Sequence, residues 1–121
     1  MPRLKNLVNP QPGESVLDVG CGEGFYGRTL STGVLYTGID ISTELIAKAK
    51  KETTSKTQVF YPADATKGLP VAENSFDHAI SILALQNMND AKLTILNIGK
   101  ALRKGGDMVI VLNHPSFRIP R

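Results

Sequence analysis

The most constraining feature of the chain is a short apolar run that leads directly into a cluster of glycines. The run Ser15 to Val19 is followed by glycine at positions 20, 22 and 24. Such a run is typical of a buried strand, and glycines let the backbone turn tightly and approach a ligand closely. With a predicted helix over residues 23–30, this forms a strand–loop–helix unit. The spacing from position 22 to 27 also matches the dinucleotide pattern GxGxxG, a weak signal on its own.

Strands and helices are predicted to alternate along the rest of the chain. The predicted strands cover residues 34–39, 58–61, 76–82 and 108–112, and the predicted helices cover 42–51 and 89–104. Ser42 is a candidate N-cap and Gly105 a candidate helix stop. This order predicts an α/β fold with a doubly wound, mostly parallel sheet, in which ligands bind at the carboxyl ends of the strands.

Composition excludes several classes of protein. The 121 residues predict one domain, and a net charge of +3 with 6% aromatic residues argues against a nucleic-acid partner. The sequence has no apolar run of about 18 residues that would span a membrane. A single cysteine, Cys21, argues against disulfides and a cysteine-rich metal site. We therefore expect a cytoplasmic protein without a bound metal.

Three aspartates follow or end the first three predicted strands. Asp18 could receive a cationic group and would repel a diphosphate. Asp40 could accept hydrogen bonds from both hydroxyls of a ribose. Asp64 could accept from an exocyclic amine while the N–H of Ala65 donates to a ring nitrogen. The alternative for Asp18 is a solvated or backbone-capping carboxylate, and the alternative for Asp64 is a loop cap. Asp40 could also help to start the helix at Ser42, which is compatible with the ribose role.

Taken together, the motifs resemble those of the class I S-adenosylmethionine-dependent methyltransferases, most closely the small-molecule enzymes of the methyltransferase type 11 kind. The resemblance spans roughly residues 10–113. It rests on Leu17-Asp18-Val19-Gly20-Cys21-Gly22-Glu23-Gly24, Gly38-Ile39-Asp40-Ile41-Ser42, Ala63-Asp64-Ala65, Leu69-Pro70, Ser75-Phe76-Asp77 and Leu102-Arg103-Lys104-Gly105-Gly106. It implies a Rossmann-like sheet ordered 3-2-1-4-5, normally completed by strands 7 and 6.

The resemblance also implies a cofactor site for S-adenosylmethionine, with S-adenosylhomocysteine as the product. Asp18 would meet the ammonium group, Asp40 the ribose, and Asp64 with Ala65 the adenine edge. The full implied set is Asp18, Gly20, Cys21, Gly22, Gly24, Asp40, Ile41, Asp64, Ala65, Ser81, Ile82 and Leu83. The implied reaction is methyl transfer to a small-molecule acceptor.

No strong catalytic constellation is visible. His114 and Gln86 are weak catalytic candidates, and the weak substrate candidates are Asn87, Asn113, Arg118 and Arg121. Gln86 and Asn87 could equally form a polar turn before the next helix, and the tail could be a proline-stiffened exit from the last strand. Cys21 is interpreted as a packing residue and His78 as a structural histidine. The Asn/Asp-Pro-Pro-aromatic motif of many amino-group methylating relatives is missing after the fourth strand.

The chain departs from the family pattern after the fifth strand. We expect residues 1–121 to be one methyltransferase domain that is incomplete at its carboxyl end. The outer edge of strand 108–112 would then be an exposed apolar edge. Either the chain is a fragment, or a partner or a second copy of the chain covers that edge. Two other interpretations remain at this point: a non-catalytic, cofactor-binding remnant, and an NAD-binding domain.

Overall fold

Five parallel strands form the sheet in the predicted order. A computed structural model of the chain describes residues 8–82, 88–111 and 116–120. The strands are β1 (Ser15–Val19), β2 (Leu35–Asp40), β3 (Gln58–Pro62), β4 (Phe76–Ile82) and β5 (Leu102–Val111). Their order is β3-β2-β1-β4-β5, and every neighbouring pair is parallel. The Rossmann-like, doubly wound class is confirmed.

Three helices connect these strands: α1 (Phe25–Arg28), α2 (Thr43–Glu52) and α3 (Met88–Ala101). The predicted N-cap of α2 is confirmed, because the Ser42 hydroxyl accepts a hydrogen bond from the Leu45 N–H at 3.1 Å. The first helix is shorter than the predicted span of residues 23–30. Gly24, at its start, has a left-handed backbone and supplies no side-chain cap, so the glycine loop extends into the predicted helix.

The core lies on both faces of the sheet because side chains alternate along each strand. On one face, Tyr36 and Phe60 pack with Ile46 and Ala49 of α2. On the other, Ile98 of α3 packs against strand residues that include Leu17, Val19, Ile39, Ala79 and Ile110. Leu93 and Leu96 of α3 are 45% and 54% exposed. The described residues therefore leave this part of the helix surface uncovered.

The predicted end of the last helix, at residue 104, is wrong by three residues. The carbonyls of Lys100 and Ala101 accept hydrogen bonds from the backbone N–H groups of Asn74 and Ser75. Leu102 then pairs with Phe76, the first residue of β4. These long-range bonds end the helix at Ala101, so Gly105 is not its stop.

The expectation of an open edge beside the fifth strand is also wrong. Residues Ser116–Pro120 form β6, which pairs antiparallel with β5 from Asp107 to Val111. Residues 116–120 therefore lie along β5 instead of leaving the sheet. Because β6 occupies this edge, the edge no longer gives a reason to expect a partner or second copy there.

Neither a membrane-spanning helix nor a cluster of metal ligands is found in the part of the chain that the structure describes. None of its helices is long and apolar enough to cross a membrane. Nor does any group of three or more His, Cys, Asp or Glu side chains come together as metal ligands there.

Candidate functional site

An open cavity of about 200 Å³ lies at the carboxyl edge of the parallel sheet. The ends of β1, β2 and β4, the loop after β3 and one residue of α3 surround it. Its lining residues are Val19, Gly20, Ile39, Asp40, Ile41, Ala63, Asp64, Ala65, Thr66, Ser81 and Thr94. The position agrees with the general rule for ligand sites in open parallel sheets.

The glycine loop bends tightly over the end of β2. The N–H of Gly20 donates to the carbonyl of Ile39 at 2.7 Å, and the N–H of Gly22 donates to Asp40 Oδ2 at 2.9 Å. Gly20, Gly22 and Gly24 have φ values of 87°, 55° and 85°. Residues other than glycine rarely adopt such positive φ values. The backbone of the loop itself therefore requires the alternate glycines.

Asp40 organises the entrance of the cavity. Its Oδ2 accepts from Gly22, and its Oδ1 accepts from the N–H of Ser42 at 2.9 Å. A carboxylate oxygen can accept two hydrogen bonds, so each oxygen of Asp40 keeps one acceptor position. Beside it, the Ile41 side chain is 70% exposed and forms an apolar wall of the cavity. This pair can hold a polyol on the carboxylate and a flat ring on the apolar surface.

Asp64 lines the cavity and also caps its own turn. Its Oδ1 accepts hydrogen bonds from the Thr66 N–H at 3.0 Å and from the Thr66 hydroxyl at 2.7 Å. These hydrogen bonds hold the pKa of the Asp64 carboxyl below its ordinary value. The carboxyl is therefore ionised at neutral pH and can accept hydrogen bonds only.

Asp18 does not line the cavity, although Val19, the next residue and the last of β1, does. Its side chain is 7% exposed, and its Oδ2 accepts a hydrogen bond from the Tyr36 hydroxyl at 2.5 Å. Burial raises the pKa of Asp18 to about 7, despite the opposing effect of the Tyr36 hydrogen bond. The role of Asp18 at the ammonium group stays a prediction.

Cys21 is half-buried in the glycine loop, where its Sγ lies 3.6 Å from the carbonyl oxygen of Gly22. Burial, together with the nearby Asp18 carboxylate, raises the pKa of the thiol to about 12. The thiol therefore stays protonated at neutral pH. This agrees with the interpretation of Cys21 as a packing residue.

The cavity brings together half of the predicted cofactor residues. Those that line it are Gly20, Asp40, Ile41, Asp64, Ala65 and Ser81. The others, which do not line the cavity, lie in the glycine loop or directly before it: Asp18, Cys21, Gly22 and Gly24. Ile82 and Arg118 lie in strands of which only the backbone is described. The remaining predicted residues lie outside the described part of the chain: Leu83, Gln86, Asn87, Asn113, His114 and Arg121.

Sequence reasoning missed Thr94, which lines the cavity from α3 and is 5% exposed. Its signal was present in the helical spacing. Ala91, Ile98 and Ala101 form the buried face of α3, and Thr94 is a polar residue on that same face. A lone polar side chain on a buried helical stripe is a candidate for ligand contact or for a local hydrogen bond.

His78 lies at the opposite edge of the sheet, among the amino ends of the strands. Its Nδ1 is 2.6 Å from Asp107 Oδ1, and its Nε2 is 2.9 Å from Glu14 Oε1. Burial alone would lower the pKa of His78, but the bonds to Asp107 and Glu14 outweigh it and raise the pKa. Both ring nitrogens are used within the fold, in agreement with a structural histidine.

Comparison with known proteins agrees with this geometry. A family model described as "Methyltransferase domain" matches residues 17–110. An O-methyltransferase from Pyrenophora dematioidea is 37% identical over 111 residues, which are 87% of this chain and 41% of that protein. The chain thus spans less than half the length of this relative.

Two solved structures share the fold. A chain from the complex between the Haloferax volcanii Trm112 methyltransferase activator and a methyltransferase is 27% identical, with a TM-score of 0.79, over 93% of this chain and 52% of that chain. The Haemonchus contortus phosphoethanolamine N-methyltransferase 2, in complex with phosphomonomethylethanolamine and S-adenosylhomocysteine, is 29% identical, with a TM-score of 0.75, over 90% of this chain and 27% of that chain. With the match over residues 17–110, these similarities show that the chain belongs to the methyltransferase domain family of the S-adenosylmethionine-dependent methyltransferases.

Proposed function

We propose that the cavity binds S-adenosylmethionine and that the protein transfers its methyl group to a small-molecule acceptor. The observation that carries the proposal is the pair of carboxylates, Asp40 and Asp64, which line one cavity beside the exposed Ile41. Carboxylates accept hydrogen bonds from ribose hydroxyls and from an adenine amine, and they would repel a diphosphate. This set of hydrogen-bond acceptors fits a nucleoside that carries no phosphate better than it fits NAD.

The size of the cavity supports binding of part of the cofactor. At about 200 Å³, it is smaller than complete ligand pockets of ~300–1,000 Å³. Asp40 would hold the ribose, Ile41 would pack on the adenine, and Asp64 with the N–H of Ala65 would meet the adenine edge. The methionine portion would extend past the glycine loop.

Methyl transfer requires few reactive side chains from the residues around the cavity. When bound, the cofactor supplies a sulfonium methyl that is already activated for in-line displacement. The residues around the cavity therefore need to hold and align the cofactor and to exclude water from the reacting centre. A general base is required only if the acceptor must lose a proton, and its assignment to His114 or Gln86 stays a prediction.

The small-molecule class of acceptor is supported by two observations. The Asn/Asp-Pro-Pro-aromatic motif is missing between residues 83 and 87, and the Haemonchus contortus relative is described with the small acceptor phosphomonomethylethanolamine. A cytoplasmic location belongs to the same proposal.

Two measurements test the proposal. We expect calorimetric titration of the 121-residue chain to detect S-adenosylhomocysteine binding and no NAD binding, and NAD binding alone would overturn the cofactor assignment. A second assay follows radiolabelled methyl transfer from S-adenosylmethionine to pooled phenols, thiols and amines. Binding of S-adenosylhomocysteine without transfer to any pool would favour the alternative of a cofactor-binding remnant.

A further inference from the structure

Asp18 and Tyr36 form a buried polar pair beneath the glycine loop. The two side chains lie on the same face of neighbouring strands, because Asp18 pairs with Gly38 and Tyr36 lies two residues earlier in β2. The Tyr36 hydroxyl donates to Asp18 Oδ2 at 2.5 Å. This is the one hydrogen bond that Asp18 accepts from the described residues, which supply no donor to its second oxygen.

Tyr36 is held rigidly by its neighbours. Its side chain is 1% exposed, and its ring centroid lies 6.4 Å from that of Tyr26 and 5.6 Å from that of Phe60. Gly27 lies against the same ring, where an added Cβ would come within 2.7 Å of it. The hydroxyl therefore has little freedom, and the carboxylate that accepts from it is pre-oriented before any ligand binds.

None of the described groups that face Asp18 carries a positive charge. They are Tyr36 from β2, Tyr26 from α1, Cys21 from the glycine loop, and the Asp40 carboxylate at the end of β2. Burial and Asp40 raise the pKa of Asp18, and the Tyr36 hydrogen bond opposes both effects. With a pKa of about 7, the ionised fraction of Asp18 at neutral pH depends directly on that hydrogen bond.

We propose that Tyr36 is a positioning residue that holds Asp18 charged and oriented to receive the ammonium group of the bound cofactor. The inference rests on the proposed function, because it needs the adenosine portion of S-adenosylmethionine or its product in the cavity and the methionine portion past the glycine loop, next to Asp18. Tyr36 itself touches neither the cofactor nor the acceptor. Its contribution is made through Asp18, and only to ligands that carry the amino-acid portion.

The test compares two ligands in the full chain carrying Tyr36→Phe. S-adenosylhomocysteine carries the ammonium group, whereas 5′-methylthioadenosine lacks the whole amino-acid portion. If loss of the hydroxyl raises the pKa of Asp18 by about one unit, the dissociation constant for S-adenosylhomocysteine rises roughly fivefold at pH 7 and about ninefold at pH 6. The factor falls to about 1.3 at pH 8.5, and binding of 5′-methylthioadenosine stays unchanged at every pH.

Tyr26→Phe is the matched control. It removes from the same cluster a buried hydroxyl that has no hydrogen-bond partner among the described residues, so we expect the pH profile of S-adenosylhomocysteine binding to match that of the unmodified chain. The inference would be overturned if Tyr36→Phe lost affinity equally for both ligands. It would also be overturned if S-adenosylhomocysteine binding in Tyr36→Phe had the same pH profile as in the unmodified chain. If the unmodified chain binds neither ligand, the proposed function fails instead.

A second variant keeps the inference testable if Tyr36→Phe does not fold. Replacement of Tyr36 with 3-fluorotyrosine keeps the ring and strengthens the hydroxyl as a donor. We expect the pH midpoint of S-adenosylhomocysteine binding to shift to lower pH. A midpoint that stays in place or moves to higher pH would contradict the role of Tyr36.

Discussion

The carboxylate of Asp40 accepts a hydrogen bond from the backbone N–H of Gly22, with an N–O distance of 2.9 Å. This bond ties the end of β2 to the glycine loop, across 18 positions of sequence. The second oxygen of Asp40 accepts from the N–H of Ser42 at the start of α2. A single side chain thus fixes the loop and the next helix at the edge of the cavity.

Asp40→Asn should weaken S-adenosylhomocysteine binding by about 1–3 kcal/mol, the scale of a lost charged hydrogen bond. The amide nitrogen of asparagine cannot accept from Gly22 or Ser42, and it cannot accept from a ribose hydroxyl. Isothermal titration calorimetry measures the change, with 5′-methylthioadenosine weakened equally because it shares the ribose. Glu44→Gln, an exposed charge removal in α2, serves as control. Unchanged affinity in Asp40→Asn would remove Asp40 from the ribose role.

Gly27→Ala should destabilise the fold by about 1–3 kcal/mol, the typical cost of overpacking a core. The new methyl would meet Cζ of the Tyr36 ring at 2.7 Å, and that ring is buried. Urea unfolding monitored by circular dichroism gives the change in midpoint.

Gly99→Ala provides the contrast to Gly27→Ala. Its nearest neighbour would be Met108 Cε at 3.9 Å, an ordinary contact. Because Gly99 lies within α3, the substitution should stabilise the chain by roughly 0.5–1 kcal/mol through helix propensity. Equal effects of the two substitutions would argue against the Tyr36 contact as the cause.

Ser42→Ala should cost about 0.5–2 kcal/mol of stability, because it removes the side-chain acceptor of the Leu45 N–H. Ser42→Gly should cost only a few tenths of a kcal/mol, since glycine is itself tolerated as an N-cap. Thermal or urea unfolding distinguishes the two variants. A larger loss for glycine than for alanine would show that backbone freedom, not the cap, dominates at this position.

Stability should fall with rising pH through the titration of His78. The pKa of this histidine is raised in the folded chain by Asp107 and Glu14. The stabilisation is therefore fully present below the unfolded pKa of about 6.5 and is lost as pH rises through the folded pKa. The difference in unfolding free energy between the unmodified chain and His78→Gln should shrink from pH 6 to pH 9. A difference that grows over this range would reverse the assigned direction of the shift.

Local patterns were enough to predict the parallel sheet and much of the site. Each strand is an apolar run bounded by turn residues, so its existence depends on nearby sequence alone. The N-cap at Ser42 and the acids at the ends of β2 and β3 follow from the same short-range reasoning. Because parallel strands end at one edge, these local features also predicted that Asp40 and Asp64 would share a cavity.

Long-range partners decided the remaining features. Asp18 accepts a hydrogen bond from Tyr36 and does not line the cavity. Helix α3 ends where its last carbonyls accept hydrogen bonds from the N–H groups of Asn74 and Ser75. Residues 116–120 pair with β5. A segment of sequence determines its own propensity to form a strand or a helix. A buried polar group, however, forms its hydrogen bond with a partner that the packed fold brings within reach. That partner is chosen by sheet register and side-chain packing, which exist only in the folded chain.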